Sequence, residues 1–174
     1  EYRHCDVRSL RYLTENVQKI SPDSAISHAY LFEDESRAYK LYSREGDLNG
    51  YYDINTYDAT SDITESDYAW VHFTLPYDFQ RTDGNFYVFG MFSLNQCTPE
   101  NKMIYDSERS AYLGKILLKQ GYYNYMYAFI EDASKVIDIT TVEGSHKETK
   151  NDYTILVYHR TTGSRYDHLV GIKK

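Results

Sequence analysis

The residue types that most often carry out chemistry are present in this sequence, but their spacing matches no recognised active site. Six histidines lie at positions 4, 28, 72, 146, 159 and 168, without the H-x-H, H-x3-H or HExxH spacing of a zinc site. A serine nucleophile has no support either, because no G-x-S-x-G turn is present. Asp132 and Asp138 resemble the carboxylate pair of a glycosidase, but such pairs arise by chance in an acidic chain. The sequence therefore predicts a protein that is not an enzyme and uses no cofactor.

Oxygen ligands for a metal ion lie close together in one place, the acidic run from Asp58 to Asp67. Its candidate calcium ligands are Asp58, Asp62, Glu65 and Asp67. They lack the D-x-D-x-D-G order of an EF-hand loop, and acidic connections are common simply because they stay solvated. We therefore predict no metal site and interpret the run as a linker or a long connection between two strand-rich regions.

Composition and charge exclude several kinds of partner. The net charge is −7, whereas a protein that binds duplex nucleic acid needs a basic face to neutralise phosphates. No apolar run approaches the roughly 18 residues of a membrane-spanning helix, so no membrane insertion is expected. The 20 tyrosines favour strands, because the ring fits a half-buried pleated surface while the hydroxyl reaches water or a partner. A small-molecule ligand has no motif to support it, and a protein partner is expected.

The elements that position these side chains are predicted to be short strands. From Ala69 to Leu75 every second residue is apolar, which is the period that a strand with one buried face requires. No longer window carries a helical stripe, and the best helical candidate, Asn16–Ile20, is short. The predicted strands are Arg3–Leu13, Ser27–Phe32, Ala38–Tyr42, Gly50–Asn55, Tyr68–Tyr77, Asn85–Phe92, Tyr112–Leu118, Tyr122–Ile130, Tyr153–Arg160 and Arg165–Ile172. The predicted fold class is all-β.

The acidic run divides the chain into two predicted parts. Residues 63–174 have a natural size for an immunoglobulin-like β-sandwich of about seven strands. Residues 1–62 are too few for a second such domain, so we predict a strand-rich segment that completes or packs on the sandwich. The chain begins at Glu1 without a signal peptide, and we interpret it as a fragment of a longer exported protein.

The two cysteines, Cys5 and Cys97, lie far apart in the sequence. Because they form no C-x-x-C pair, their spacing does not indicate a metal site. In an exported protein they would be able to form one long-range disulfide, and otherwise they are two unpaired, half-buried thiols. The sequence leaves both alternatives open.

Two aromatic segments, Tyr87–Asn95 and Leu117–Tyr127, carry a first resemblance to a known family. The second segment contains a strand whose aromatic side chains share one face, for which core packing is the expected role. The matching residues are Gly90, Phe92, Ser93, Met103, Gly121, Tyr123 and Tyr125. They resemble early-set, immunoglobulin-like domains related to glycogen-binding modules. The resemblance implies a β-sandwich, but Asn95 and Met126 replace the sugar-stacking Trp and the Lys of that family, which weakens a sugar-binding role.

A second resemblance covers nearly the whole chain. It rests on the order of the segments Glu1–Tyr12, Asp67–Leu75, Val88–Gly90, Leu118–Tyr125, Val157–Arg160 and Arg165–Asp167. Together these are similar to the C-terminal half of an uncharacterised-domain family of Bacteroidetes, whose members include the plug protein of the type IX secretion system. The resemblance implies a periplasmic β protein that occludes the periplasmic mouth of a large outer-membrane β-barrel translocon. It supplies no catalytic or ligand residues.

The sequence favours a protein-binding or structural module, with a carbohydrate-binding module as the alternative. Tyrosine anchors protein interfaces at low conformational cost. The candidate interface residues are Tyr51, Tyr52, Tyr77, Arg165 and Tyr166. The alternative needs an exposed aromatic platform, for which the region around Tyr68 and Trp70 is the best candidate.

Overall fold

The structure, a computed structural model, describes residues 2–23, 25–40, 48–58, 62–146 and 153–173. Within these ranges the chain is mostly strand with very little helix, which confirms the predicted all-β fold. The strands are β1 (Arg3–Asp6), β2 (Val17–Ser21), β3 (Ser27–Leu31), β4 (Tyr52–Asp53), β5 (Tyr68–Pro76), β6 (Gly84–Phe89), β7 (Ile104–Asp106), β8 (Ala111–Lys119), β9 (Tyr122–Glu131), β10 (Ile137–Asp138), β11 (Ile155–His159) and β12 (His168–Lys173). The helices are α1 (Asp62–Glu65), α2 (Thr140–Glu143) and two 3₁₀ turns, Met91–Ser93 and Pro99–Asn101. None of the described helices combines the length and the apolar character that crossing a lipid bilayer requires.

The first sheet is organised around β9, which pairs antiparallel with four shorter strands. β1 and β4 lie beside the first half of β9, and β6 and β10 lie beside its second half. The aromatic ladder of β9 is buried, as expected for core packing, and consists of Tyr123, Tyr125, Tyr127 and Phe129. Gly121 makes the turn into β9 against the backbone of Asp53, where a Cβ atom would overlap the carbonyl oxygen.

The second sheet has the strand order β2-β3-β5-β8-β7. β3 and β5 run parallel, whereas the other neighbouring strands run antiparallel. In β5 the residues Ala69, Val71, Phe73 and Leu75 are buried, and the residues between them are half-buried. The period of two that was read from the sequence therefore marks which face of this sheet meets the core.

The core lies between the two sheets, which pack face to face through aromatic side chains. The ring of Phe73 meets the edge of Tyr125 at a centroid distance of 5.0 Å, and Phe86 meets Tyr112 at 4.6 Å. Such edge-to-face pairs add to the stabilisation from apolar burial. One continuous core therefore joins strands from both sheets.

Strands from both predicted parts of the chain contribute to these sheets. From residues 1–62, β1 and β4 join the sheet of β9, and β2 and β3 join the sheet of β5. Asp58, at the start of the acidic run, accepts hydrogen bonds from Ser9 Oγ at 2.7 Å and from the backbone N–H of Leu10 at 2.8 Å. β11 and β12, which the sequence assigned to the sandwich, form a separate two-stranded sheet.

A buried cluster of charged and phenolic groups connects β1, the segment after β3, and α2. The Arg3 guanidinium donates hydrogen bonds to Glu143 and to Asp34, each at 3.0 Å. The hydroxyls of Tyr125 and Tyr127 both donate to Asp34 Oδ2, at 2.6 and 2.7 Å. Burial, and after it the Asp34 carboxylate, raises the pKa of both phenols well above the ordinary value. The two tyrosines are therefore neutral donors that hold the segment after β3 against β9.

Several predicted elements differ from the observed ones for local reasons. The strand β2 is absent from the predicted strands, and it includes most of Asn16–Ile20, the short segment that was the best helical candidate. A bulge after Val17 allows Val17 and Ile20 to face the core from this one strand. The first predicted strand ends early, since the Asp6 carboxylate accepts the backbone N–H of Arg8 and turns the chain. The strand predicted over Ala38–Tyr42 is wrong at residues 38–40, which form a turn, and its last two residues lie outside the described ranges.

The two cysteines are free thiols. Cys5 is fully buried in the core, and Cys97 is half-buried. Burial raises the pKa of both thiols, that of Cys97 to about 11. Of the two alternatives that the sequence leaves open, the structure therefore contains the unpaired thiols.

Candidate functional site

The most unusual surface belongs to β11 and β12, which pair only with each other within the described part of the chain. We call these two strands the apolar hairpin. Its large apolar side chains are all between 46% and 60% exposed, namely Ile155, Leu156, Val157, Tyr158, Leu169, Val170 and Ile172. A contiguous apolar surface of this kind marks an interaction site more often than a surface that stays in water.

Both faces of the apolar hairpin are apolar. On one face Leu156 pairs with Ile172 and Tyr158 pairs with Leu169, so that four large side chains form a continuous block. The other face carries Ile155 and Val157. A two-stranded hairpin is marginally stable in water by itself, whereas a hairpin that is covered on its two faces gains from the burial of this surface.

The turn of the apolar hairpin contains two of the five predicted interface residues. Arg165 and Tyr166 are exposed, and the Tyr166 ring lies 4.5 Å from that of His168. Below the turn, the Arg160 guanidinium donates two hydrogen bonds to the Asp167 carboxylate, at 2.7 and 2.8 Å. This bidentate ion pair links the two strands of the hairpin next to its apolar surface.

The other three predicted interface residues lie at two separate places along β9. Tyr51 and Tyr52 are exposed beside the start of β9, where the Tyr52 ring stacks on Tyr123. Tyr77 instead packs against the core, with its ring 5.2 Å from that of Phe86. Because Phe86 pairs with the far end of β9, Tyr52 and Tyr77 are separated by about 20 Å along this strand, at ~3.3 Å per residue. The structure does not bring the five residues together into one surface.

A second notable surface is the solvent-facing side of the sheet that contains β5. Three aromatic rings on it lie beneath lysine ammonium groups: Trp70 beneath Lys115 at 4.3 Å, Tyr30 beneath Lys19 at 5.6 Å, and Tyr68 beneath Lys119 at 5.9 Å. We call this surface the outer face, and define it by Lys19, His28, Tyr30, Tyr68, Trp70, His72, Lys115, Leu117 and Lys119. It is therefore both aromatic and basic, in a protein whose net charge is negative.

Two histidines meet at the centre of the outer face. His28 Nδ1 and His72 Nε2 are 2.9 Å apart and share one hydrogen bond, and the Tyr30 ring stacks on His72 at 4.2 Å. Burial, His28 and Lys115 together lower the pKa of His72 to about 4, so this imidazole is neutral at pH 7. No sequence signal predicts this pair, because the two residues meet only through the parallel pairing of β3 with β5.

The described ranges hold no group of three or more His, Cys, Asp or Glu side chains that converge as a metal site would require. The outer face therefore consists of stacked rings and lysines, and the apolar hairpin of exposed apolar side chains. The sequence does carry a signal for the hairpin. In the run Ile155–Tyr158 apolar and polar residues do not alternate, as they would in a strand with one solvent-exposed face.

No protein-family model and no curated protein matches the chain. Among solved structures, the chain is similar to a hypothetical protein from Parabacteroides merdae ATCC 43184, with a TM-score of 0.90 and 36% sequence identity. The match covers 99% of this chain and 43% of that chain, so this chain spans less than half the length of its structural neighbour. The neighbour is described only as hypothetical, and the match therefore bears on the fold and not on a function.

Proposed function

We propose that this protein is a non-catalytic binding module whose apolar hairpin docks onto a partner protein. The observation that carries the proposal is the exposure of apolar side chains on both faces of the hairpin. Covering this surface would gain about 25 cal/mol for each Å² of apolar area removed from water. Within the described residues, β11 and β12 also each have one edge that pairs with no other strand, which a strand of the partner would complete.

The partner in this proposal is a large outer-membrane β-barrel translocon, and the protein acts in the periplasm as its plug. The support is the resemblance in segment order to the Bacteroidetes family described above, together with a structural neighbour from Parabacteroides, which belongs to the same phylum. A barrel built of strands is a suitable partner for a hairpin with unpaired edges.

The proposal also includes an immunoglobulin-like, early-set topology for the two packed sheets, with residues 1–62 completing them. It is supported by the largely antiparallel pairing of the strands and by the core between the two sheets. The apolar hairpin, a separate two-stranded sheet, would then be the part that contacts the translocon.

The test is a photo-crosslinking experiment on outer membranes prepared from a Bacteroidetes species. A photoreactive benzoyl-phenylalanine replaces Tyr158 on the hairpin, and in a matched control it replaces Tyr12, which is similarly exposed at 52% against 56%. We expect a crosslink to a large outer-membrane β-barrel from position 158 and none from position 12. The same crosslink should disappear in the background of Leu156→Glu with Ile172→Lys. That double change replaces two of the four apolar side chains of the block by charges of opposite sign on directly paired residues, so the hairpin itself stays paired.

Crosslinks from both positions in equal yield would contradict the proposed role of the hairpin, because they would report only random collision. Crosslinks only between copies of this chain would replace the translocon by a homodimer. Carbohydrate binding stays a prediction, and no observation supports it. A sugar would need an open aromatic ring face, but Lys115 lies over one face of Trp70, and the neighbouring Tyr30 and His72 rings stack on each other.

A further inference from the structure

We propose that His28 and His72 together bind a divalent copper ion on the outer face. The two histidines lie on β3 and β5, whereas the apolar hairpin consists of β11 and β12. The inference therefore goes beyond the docking of the hairpin, and its test does not depend on that proposal. A resident zinc ion would need at least three protein ligands, so the inference concerns an exchangeable ion that two imidazoles hold, with water in its remaining positions.

The first argument is the distance between two ring nitrogens, His28 Nδ1 and His72 Nε2, which is 2.9 Å. If each nitrogen lies ~2.0–2.1 Å from one metal ion, this separation sets the angle between the two bonds at about 90°. That is the angle between neighbouring ligands in a square-planar site, the geometry that Cu²⁺ adopts with nitrogen and oxygen ligands. A tetrahedral zinc ion would instead need the two nitrogens about 3.3 Å apart. Cu²⁺ also binds a given nitrogen site more tightly than the other divalent metals of its row.

The second argument is the hydrogen bond that these two nitrogens share. Such a bond requires one donor and one acceptor, and the acceptor nitrogen carries a lone pair instead of a proton. The donor ring of a neutral pair presents the same kind of lone pair once its proton moves to its other nitrogen. The copper ion then takes the place of the shared proton. The χ2 torsion of a histidine has broad wells, so turning both lone pairs toward one ion costs little.

The third argument is the way in which the strands hold the two rings. The parallel register places Tyr30 opposite His72, and the Tyr30 ring stacks on this imidazole at a centroid distance of 4.2 Å. The centroids of the His28 and His72 rings are 5.0 Å apart, and the ring planes are 23° from parallel. Less conformational entropy is lost when an ion binds ligands that are already positioned. The pair is therefore better prepared for a metal ion than two independent surface histidines.

The fourth argument is the approach to the pair. A depression of about 790 Å³ opens to solvent beside His72. Its lining also includes three carboxylates and two lysines, namely Glu100, Asp106, Glu108, Lys102 and Lys115. The carboxylates attract a cation to this side of the sheet, whereas Lys115 acts on His72 electrostatically and repels a cation there. A copper ion at His72 should therefore bind more tightly once Lys115 is replaced by a neutral residue.

The experiment titrates copper(II) chloride into the protein in a buffer that does not bind copper. Calorimetry measures the affinity, and Trp70 reports where binding occurs, because it is the single tryptophan of the chain and lies opposite His28 in the register. We expect saturable binding that quenches the Trp70 fluorescence, with an electron paramagnetic resonance spectrum that shows two equatorial imidazole nitrogens. His28→Gln and His72→Gln should each weaken binding at least about tenfold, since even the loss of an outer-shell partner costs this much. Lys115→Gln should strengthen binding about threefold, because it removes a repulsive charge.

The matched control is the double variant His159→Gln with His168→Gln, because these two histidines are also paired across neighbouring strands, on the apolar hairpin. It should keep the affinity, the quenching and the spectrum of the unchanged protein, and urea denaturation verifies that each variant is folded. Copper binding that this control abolishes, and that His28→Gln and His72→Gln leave intact, would overturn the proposal. A spectrum with a single equatorial nitrogen would also overturn it. So would an affinity that Lys115→Gln leaves unchanged, because the ion would then lie away from His72.

Discussion

Arg3 and Glu143 stand 140 residues apart in the sequence, and a 3.0 Å hydrogen bond joins the Nε of one to the Oε1 of the other. Both side chains are buried, and Glu143 Oε1 also accepts the backbone N–H of Tyr127 at 2.9 Å. Removing the guanidinium would leave a buried carboxylate without its cation. We therefore expect Arg3→Met to lower the free energy of unfolding by about 3–5 kcal/mol, measured by urea denaturation.

The control for that prediction is Arg109→Met, which breaks a longer, exposed ion pair with Asp106 and should cost less than about 1 kcal/mol. Adding Glu143→Gln to Arg3→Met should recover part of the loss, since the buried carboxylate is then neutral. If the two single changes simply add in the double variant, Arg3 and Glu143 are not energetically coupled and the prediction is wrong.

A second prediction concerns the two hydroxyls that share Asp34 Oδ2. Tyr125→Phe and Tyr127→Phe should each lower the free energy of unfolding by about 1–2 kcal/mol, because each removes one hydrogen bond to a carboxylate. Combined, they should cost more than the sum, since Asp34 Oδ2 then loses both donors. Tyr105→Phe is the control, because its hydroxyl donates to a neutral carbonyl, that of Tyr77, at 3.1 Å. Strict additivity would argue against a shared acceptor.

The parts of the fold that the sequence predicts well are those where side-chain pattern and burial coincide. β5 has one buried and one half-buried face, so the alternation between these two kinds of residue is visible in the sequence. β2 was missed because its bulge gives Val17 and Ile20 a helix-like spacing of three residues. β7 and β10, with three and two residues, are too short for any period to show.

The candidate surfaces were harder to predict than the strands. The sequence predicts Arg165 and Tyr166 as interface residues, and the structure places both, exposed, at the turn of the apolar hairpin. Whether a strand with two apolar faces is buried in a sheet or exposed is decided by tertiary packing. His28 and His72 become neighbours only through a parallel pairing, for which neither residue carries a local signal. The sequence predicts Tyr77 as an exposed aromatic, yet its ring is partly buried and packs against those of Phe86 and Tyr112.

A third prediction concerns Gly84, at the start of β6. A Cβ atom there would overlap the carbonyl oxygen of Ile130 and the ring of Phe129. Gly84→Ala should therefore lower the free energy of unfolding by about 1–3 kcal/mol. Gly171→Ala is the matched control within another strand, because its Cβ atom would contact only Val157, at an ordinary distance of 3.7 Å. This control should change the midpoint of thermal unfolding little. Equal effects at the two positions would contradict the close approach at Gly84.

A fourth prediction concerns the two thiols. In the native protein a thiol reagent such as dithionitrobenzoate should react slowly with Cys97 and not with Cys5, since Cys5 is fully buried. Two thiols should react once the protein is unfolded in guanidinium without reductant. The variant Cys97→Ser should abolish the native reaction, whereas Cys5→Ser should leave it unchanged. No reaction in either state would reveal a disulfide and contradict the free thiols.

The last prediction is a pH dependence that originates on the outer face. Burial lowers the pKa of His72, and His28 from β3 and Lys115 from β8 lower it further, to about 4, against about 6.5 in the unfolded chain. Between these two pKa values His72 is protonated in the unfolded chain but not in the folded protein. The free energy of unfolding therefore falls as the pH drops through this window. Because His72 is partly exposed, we expect this histidine to account for a loss of about 1–2 kcal/mol between pH 7 and pH 5.

The measurement is urea denaturation at both pH values for the unchanged protein and for His72→Gln. The variant lacks the titrating imidazole and should lose less stability on acidification than the unchanged protein does. His159→Gln, on the exposed apolar hairpin, removes an imidazole outside the outer face and should behave as the unchanged protein. A nuclear magnetic resonance titration of the His72 ring should show its midpoint near pH 4. A midpoint near 6.5 would mean that burial, His28 and Lys115 do not act on His72, and the outer face would then lack the close packing of cations and rings described above.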